Sequence, residues 1–103
     1  MNGAQKTMID LTNAGSRSTH STVGADLFSV TTPLAAAMGS AVVELVKSVG
    51  GVDVPYSPAL VLNSSTSSII GADVDGIDEV ALVVTTADAT SGDLPANVFG
   101  EEK

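Results

Sequence analysis

Hydrophobic and polar residues alternate along much of this chain, in short runs that end at glycine, proline, serine or asparagine. Alternation with a period of two is typical of a β-strand with one buried face. The clearest run extends from Glu79 to Thr86. Val80, Leu82 and Val84 lie on one side of it. The other side is also mostly apolar and β-branched, so the pattern predicts a central strand.

Shorter runs predict further strands, and residues that favour turns lie between them. From Leu27 to Thr32, Phe28 and Val30 lie on the same side, and Phe28 is the largest apolar side chain of the run. Short apolar groups predict other strands at 8–11, 59–62 and 97–99. Several short strands at spacings of about 8 to 12 residues are typical of an antiparallel sandwich or barrel.

The segment from residue 32 to residue 51 fits two templates. As a helix it has Thr32 as N-cap, Pro33 in the first turn and apolar residues every three or four positions. As a strand, residues 41–49 are rich in valine and end at a Gly-Gly turn. The predicted fold is therefore all-β, a compact antiparallel β-sandwich or barrel, and the alternative is an α+β fold with one helix at about 33–49.

The chain has 103 residues, which is enough to bury one modest core, so we expect a single domain over residues 1–103. Only 3% of the residues are aromatic, so the core is expected to consist of Val, Leu, Ile and Ala. Two polar segments, at about 1–7 and 13–26, are predicted to be flexible. The hydroxyl-rich part of the second one fits either a solvated loop or an edge strand.

Charge and composition exclude several classes of function. The net charge is −8 and the four cations are scattered, so we expect no nucleic-acid partner. The chain has no Cys and a single His, which argues against a disulfide framework, thiol catalysis and most zinc sites, and no cofactor is expected. Its longest apolar stretch is shorter than the roughly 18 residues that cross a bilayer. With no secretory signal pattern at the N-terminus, synthesis in a cytoplasm and no membrane association are expected.

Four carboxylates lie within one short segment, at Asp73, Asp75, Asp78 and Glu79. Carboxylate oxygens are ligands for Ca²⁺, but the glycine and the residue at position twelve do not fit an EF-hand loop. The prediction is an acidic turn without a metal, and a calcium site on these four residues is the alternative.

His20 lies among serine and threonine residues, and Asp10 or Asp26 could lie close to it in the fold. These are the residue types of a hydrolase triad, but the sequence contains no Gly-x-Ser-x-Gly nucleophile turn. We therefore expect an exposed loop histidine and a protein that is not an enzyme.

Five short motifs occur in order between residues 42 and 87. They are Val-Val-Glu-Leu at 42–45, Ser-Val-Gly-Gly at 48–51, Tyr-Ser-Pro-Ala-Leu at 56–60, a Gly-x-x-Val-x-Gly turn at 71–76 and a valine-rich strand at 80–87. Together they resemble small accessory structural proteins of tailed-phage virions, including head decoration or cement proteins that are compact β-sandwiches. The resemblance favours a strand over residues 41–49.

The resemblance implies a structural virion protein that binds the outer surface of a phage capsid. Its partner would be the major capsid protein or another virion protein, and it would be made in the host cytoplasm and located in the virion. A homo-oligomer, a dimer or trimer, is expected. The predicted contact residues are Arg17 and His20 in the polar segment 13–26, with the aromatic residues Phe28, Tyr56 and Phe99.

Two other functions are compatible with the sequence. One is a structural protein of the phage neck or tail. The other is a small non-catalytic protein-binding or carbohydrate-binding β module, in which an aromatic platform would need all three aromatic residues of the chain, Phe28, Tyr56 and Phe99.

Overall fold

The computed structural model describes residues 5–33 and 35–102. These residues form eight β-strands and one turn of 3₁₀ helix at Ala35–Met38. The strands are β1 Gln5–Asp10, β2 Arg17–Ser21, β3 Leu27–Thr31, β4 Val42–Val49, β5 Val52–Leu62, β6 Ser68–Asp73, β7 Glu79–Thr86 and β8 Asp93–Glu101.

The strands form two four-stranded sheets, and all neighbouring pairs are antiparallel. The front sheet has the order β1-β8-β3-β6, and the back sheet has the order β2-β7-β4-β5. Buried residues from both sheets pack into one hydrophobic core. The prediction of an all-β antiparallel sandwich is confirmed.

The core is aliphatic, with Phe28 as its largest side chain. Fully burying a side chain of this kind contributes about 1.5 to 3 kcal/mol. Strand β7 is central in the back sheet, as predicted: Val80, Leu82 and Val84 are buried on its inner face, and Ala81 is buried on its outer face. Among the described residues, every buried side-chain polar atom has a hydrogen-bond partner.

The helix alternative for residues 33–49 is wrong. Among the described residues of this segment, one 3₁₀ turn is followed by β4, whose valines favour a strand because their branched side chains pack well on a pleated surface. Gly39 follows the turn with φ of 59°, a conformation that favours glycine. A side chain at this position would also collide with the carboxylate of Asp88, which accepts hydrogen bonds from Ser40 and Thr90.

Strand β5 extends the short strand predicted at 59–62 back to Val52. Leu45 pairs with Leu60, whereas Val46 pairs with Pro55, so residues 56–59 bulge out of the pairing. The Ser57–Pro58 peptide bond in this β5 bulge is cis. Pro55 and Pro58 thus both lie on β5, an edge strand of the back sheet, where missing N–H donors are tolerated.

Strands β1 and β8 are longer than predicted. Strand β1 begins at Gln5, inside the segment 1–7 that was predicted to be flexible, and residues 1–4 lie outside the described residues. Strand β8 includes Pro95, which faces Met8 of β1. On its other side, β8 pairs with β3 as far as Asn97, so the proline lies beyond that ladder.

The sandwich has two lateral edges, and each edge consists of one outer strand from the front sheet and one from the back sheet. Strands β1 and β2 lie side by side at one edge, which we call the His20 edge. Strands β5 and β6 lie side by side at the other, which we call the Tyr56 edge. Within the described parts of the chain, no helix has the length and apolar character needed to cross a membrane.

Candidate interaction surfaces

His20 lies on the inner face of β2, opposite Val80 of β7. Its ring is half-buried, with its centroid 5.9 Å from that of the Phe28 ring. The Nε2 atom shares a hydrogen bond of 2.8 Å with Ser18 Oγ, and this hydroxyl shares one of 2.6 Å with Thr7 Oγ1 on β1. A chain of three polar side chains thus joins the two sheets at the His20 edge.

Burial lowers the pKa of His20, because the charged imidazolium loses hydration there. The predicted exposed loop histidine is wrong in both respects, since the residue is half-buried and lies on a strand. Within residues 5–33 and 35–102, no carboxylate lies within ion-pair distance of its ring. Asp10 instead accepts hydrogen bonds from Thr12 and Asn13, which lower its pKa, so no Ser-His-Asp arrangement forms with it.

Arg17 lies on the outer face of the back sheet. Its guanidinium forms two hydrogen bonds with the carboxylate of Asp53, at 2.9 and 3.0 Å, and these lower the pKa of Asp53. Because β7 and β4 lie between β2 and β5, this ion pair crosses the width of the sheet. Ala81 and Val46, on the crossed strands, are buried although their side chains lie on the outer face.

Phe28 cannot contact a partner in this fold. Its side chain is 0% exposed and belongs to the core, where it also supports the ring of His20. The alternation of β3 directs it inward together with Val30. The prediction that Phe28 forms part of the partner contact is therefore wrong.

Tyr56 lies in the β5 bulge and closes the Tyr56 edge. Its hydroxyl donates a hydrogen bond of 2.7 Å to the backbone carbonyl of Asp73 on β6. The Nζ atom of Lys47 lies over the ring, 4.7 Å from its centroid, as in a cation–π contact. Burial, and secondarily the charge of Asp73, raise the pKa of Tyr56.

Lys47 and Glu44 do not pair, because residues three apart on a strand lie on opposite faces. Lys47 is on the inner side, near Tyr56, and the ion pair observed among the described residues is the one between Arg17 and Asp53.

Phe99 is half-buried on the outer face of the front sheet, opposite Ser29. The other neighbour of Ser29 is the irregular part of β6, where the side chain of Ile70 is exposed. Phe28, Tyr56 and Phe99 thus lie in the core, at a lateral edge and on an outer face. They do not form the aromatic platform that a carbohydrate-binding module would need.

The acidic segment forms a turn, as predicted. Asp73 Oδ1 accepts a hydrogen bond from the backbone N–H of Asp75 at 3.0 Å, the pattern of an Asx turn. Asp73, Asp75, Asp78 and Glu79 are all exposed. In the part of the chain that the structure describes, no group of three or more acidic or histidine side chains is arranged to hold a metal ion. The calcium alternative thus has no support in the geometry.

Exposed valines mark a surface that the sequence analysis missed. Val49, Val52 and Val54 are 49%, 63% and 37% exposed, and they lie where β4 and β5 meet at the turn of residues 50–51. We call this surface the valine tip. The cross-strand pair of Val49 and Val52 across a Gly-Gly turn was a usable signal, but no strand was predicted directly after the turn.

No family model matches this sequence, and no curated protein matches it. One solved chain that matches is from a structure titled "Bacillus endospore appendages form a novel family of disulfide-linked pili". Its identity is 20%, its TM-score is 0.45, and the match covers 98% of this chain and 88% of that chain. Another is the SPBc2 prophage-derived protein YomS, with 14% identity, a TM-score of 0.47, and coverage of 95% of this chain and 94% of that chain.

Proposed function

We propose that this chain is a non-catalytic structural protein of a phage virion, which binds the outer surface of the capsid as a decoration or cement protein. Its partner is the major capsid protein or another virion protein. The proposal starts from the five motifs between residues 42 and 87, and it gives the exposed surfaces of the sandwich a role that needs no reactive side chains.

The valine tip is the observation that carries the proposal. Three large apolar side chains are exposed together at the end of the β4–β5 hairpin, although the rest of the hairpin's valines and leucines are buried or half-buried. Exposing several apolar side chains in one place has a free-energy cost that contact with another protein removes. A hairpin end on a rigid sandwich suits insertion between neighbouring subunits of a shell.

The charge of the chain fits the same role. The net charge of −8 makes copies repel one another in solution and gives a decorated particle a negative outer surface. The acidic turn lies near the valine tip, since Gly76, Ile77 and Asp78 line a shallow depression together with Val49 and Gly50. An apolar contact with an acidic rim favours a partner surface that is apolar at its centre and basic around it.

Quantitative mass spectrometry of purified particles tests the location directly. The ratio of this chain to the most abundant shell protein is the quantity to measure. Hundreds of copies per particle are expected for a capsid decoration protein. A few copies, up to a few tens, would place it in the neck or tail instead, and absence from the particle would overturn the virion assignment.

A matched pair of variants tests the valine tip. Val52→Asp is expected to weaken binding to particles that lack this chain, because it places a charge in the apolar contact. Met8→Asp is the control, since Met8 is 60% exposed, almost the same as Val52, but lies on β1 in the front sheet, at the lateral edge opposite β5. Equal binding by the two variants, with unchanged melting temperatures, would contradict a role for the valine tip.

Self-association is part of the proposal, as a dimer or trimer. Phe99 and Ile70, on the outer face of the front sheet, are the apolar residues proposed for this contact. Sedimentation velocity at increasing concentration measures it. A shift toward monomer in Ile70→Ser, but not in Val52→Ser, is the expected result, and a monomer at every concentration of the native chain would contradict it.

A further inference from the structure

We propose that the His20 edge is a pH-sensitive latch: β2 stays paired with β7 at neutral pH, and protonation of His20 under mildly acidic conditions releases β2 from the edge of the back sheet. This inference does not depend on the proposed function. It rests on the position of the ring between the sheets and on the groups that surround it.

The ring is held on two sides. Below it lies Phe28, an entirely buried apolar ring that offers no hydrogen bond. Beside it lies Ser18, which is linked in turn to Thr7 on the other sheet. A neutral imidazole fits this place, because Nε2 can complete the hydrogen-bond chain while the rest of the ring packs against Phe28. A charged imidazolium has to give up part of its hydration there.

Among the described residues, no opposite charge faces the ring to compensate for that loss. On β1, the inner face carries Thr7 and Ile9, whereas Lys6 and Asp10 alternate to the outer face. On β7, Val80 is opposite His20, and Glu79 lies on the outer face.

Strand β4 carries Lys47 on the inner face, opposite Val80, but its charge has the same sign as that of an imidazolium and its Nζ lies over the Tyr56 ring. On β2 itself, Arg17 lies on the outer face and is paired with Asp53. Strand β3 has no titratable residue. No carboxylate of the described residues lies within ion-pair distance of the ring. Release of β2 into water is therefore the way for a protonated His20 to recover its hydration.

The direction of the effect follows from the lowered pKa of His20 in the closed state. When β2 is released, the pKa returns to about 6.5, the ordinary value for histidine. The closed state is thus fully stable above about pH 6.5 and loses stability as the pH falls from there toward the lower value of the closed state. The residues released are the five of an edge strand that pairs only with β7. Such a strand can open without unfolding the core.

Hydrogen exchange followed by NMR, expressed as protection factors, tests the latch at about pH 7.5 and about pH 5. In the native chain, protection of the β2 amides is expected to fall severalfold at the lower pH. Protection of the β6 amides, at the opposite edge, should stay constant. His20→Gln keeps a polar side chain that does not titrate, so its β2 protection should be the same at both pH values. An equal loss in His20→Gln, an equal loss in β6, or no loss in the native chain would each overturn the proposal.

A second measurement keeps the proposal testable if His20→Gln does not fold. The chemical shift of the His20 ring protons, followed against pH in the native chain, gives the pKa of this single histidine directly. A value below about 6.5 is expected, and a value at or above it would overturn the latch.

Discussion

The two lateral edges of the sandwich meet the same structural requirement with different chemistry. At each edge, an outer strand of one sheet must be held against an outer strand of the other without backbone pairing between them. At the Tyr56 edge, a phenol bonds to a backbone carbonyl, and neither group changes charge near neutral pH. At the His20 edge, three side chains are linked in series and one of them is a histidine. On the latch proposal, the sandwich has one permanent edge and one that opens when His20 is protonated.

Removing the support beneath His20 is expected to have the largest effect. Phe28→Ala leaves a cavity in the core below the ring, and large-to-small changes of this kind cost about 3 to 5 kcal/mol in the free energy of unfolding. Urea denaturation measures the loss. Phe28→Leu is the control, with a smaller cost of about 1 to 1.5 kcal/mol. A loss below about 1 kcal/mol in Phe28→Ala would show that the His20 edge does not rest on this residue.

The Tyr56 edge is expected to be the next most sensitive. Tyr56→Ala removes a half-buried ring, its contact with Lys47 and its hydrogen bond to Asp73, for an expected loss of about 2 kcal/mol. Tyr56→Phe keeps the ring and loses only the hydrogen bond, so about 1 kcal/mol is expected. Neither loss should change between about pH 7.5 and about pH 5. Thermal or urea denaturation at the two pH values checks this, and a marked pH dependence in Tyr56→Phe would remove the contrast between the edges.

The hydrogen-bond chain of the His20 edge can be interrupted at its middle. Ser18→Ala separates Thr7 from His20, and a loss of about 1 kcal/mol is expected. Thr7→Ser keeps the hydroxyl and should cost less. If the three groups act as a unit, the double variant Thr7→Ala with Ser18→Ala will be less destabilised than the sum of the two single variants. Strict additivity in urea denaturation would show that the chain is not coupled.

Much of the fold was predictable from the sequence because local patterns determine it. Strand β7 has the bounds that its alternation predicted, and the inward side of β3 was identified correctly. The edges were not predictable in the same way. Whether His20 is exposed depends on Phe28 lying beneath it from the other sheet, and no local pattern carries that information.

The residues that contact a partner were also hard to predict from local sequence patterns. Phe28 was assigned to a partner contact because aromatic residues are frequent at interfaces, although the alternation of its own strand directed it inward. The valine tip was missed because Pro55 and Pro58 interrupt the pattern after residue 51, and no strand was predicted there. The β5 bulge accommodates the second of them and lets the strand continue, and this depends on pairing with β4, which lies far away in sequence.

The ion pair across the outer face is expected to have the smallest effect, and it separates the latch from ordinary electrostatics. Arg17 and Asp53 are both about 40% exposed, so water and salt screen their attraction. A double-mutant cycle of Arg17→Met and Asp53→Asn measures their coupling free energy. This coupling should be smaller than the loss of stability caused by Ser18→Ala. Because the pKa of Asp53 is lowered, this coupling is present above about pH 3.9 and is lost as the pH falls through the folded-state value. Asp53 titrates at a lower pH than His20. The opening of β2 at about pH 5 is therefore expected to persist in Asp53→Asn. If exchange of the β2 amides loses its pH dependence in that variant, Asp53 and not His20 is the group that controls the edge.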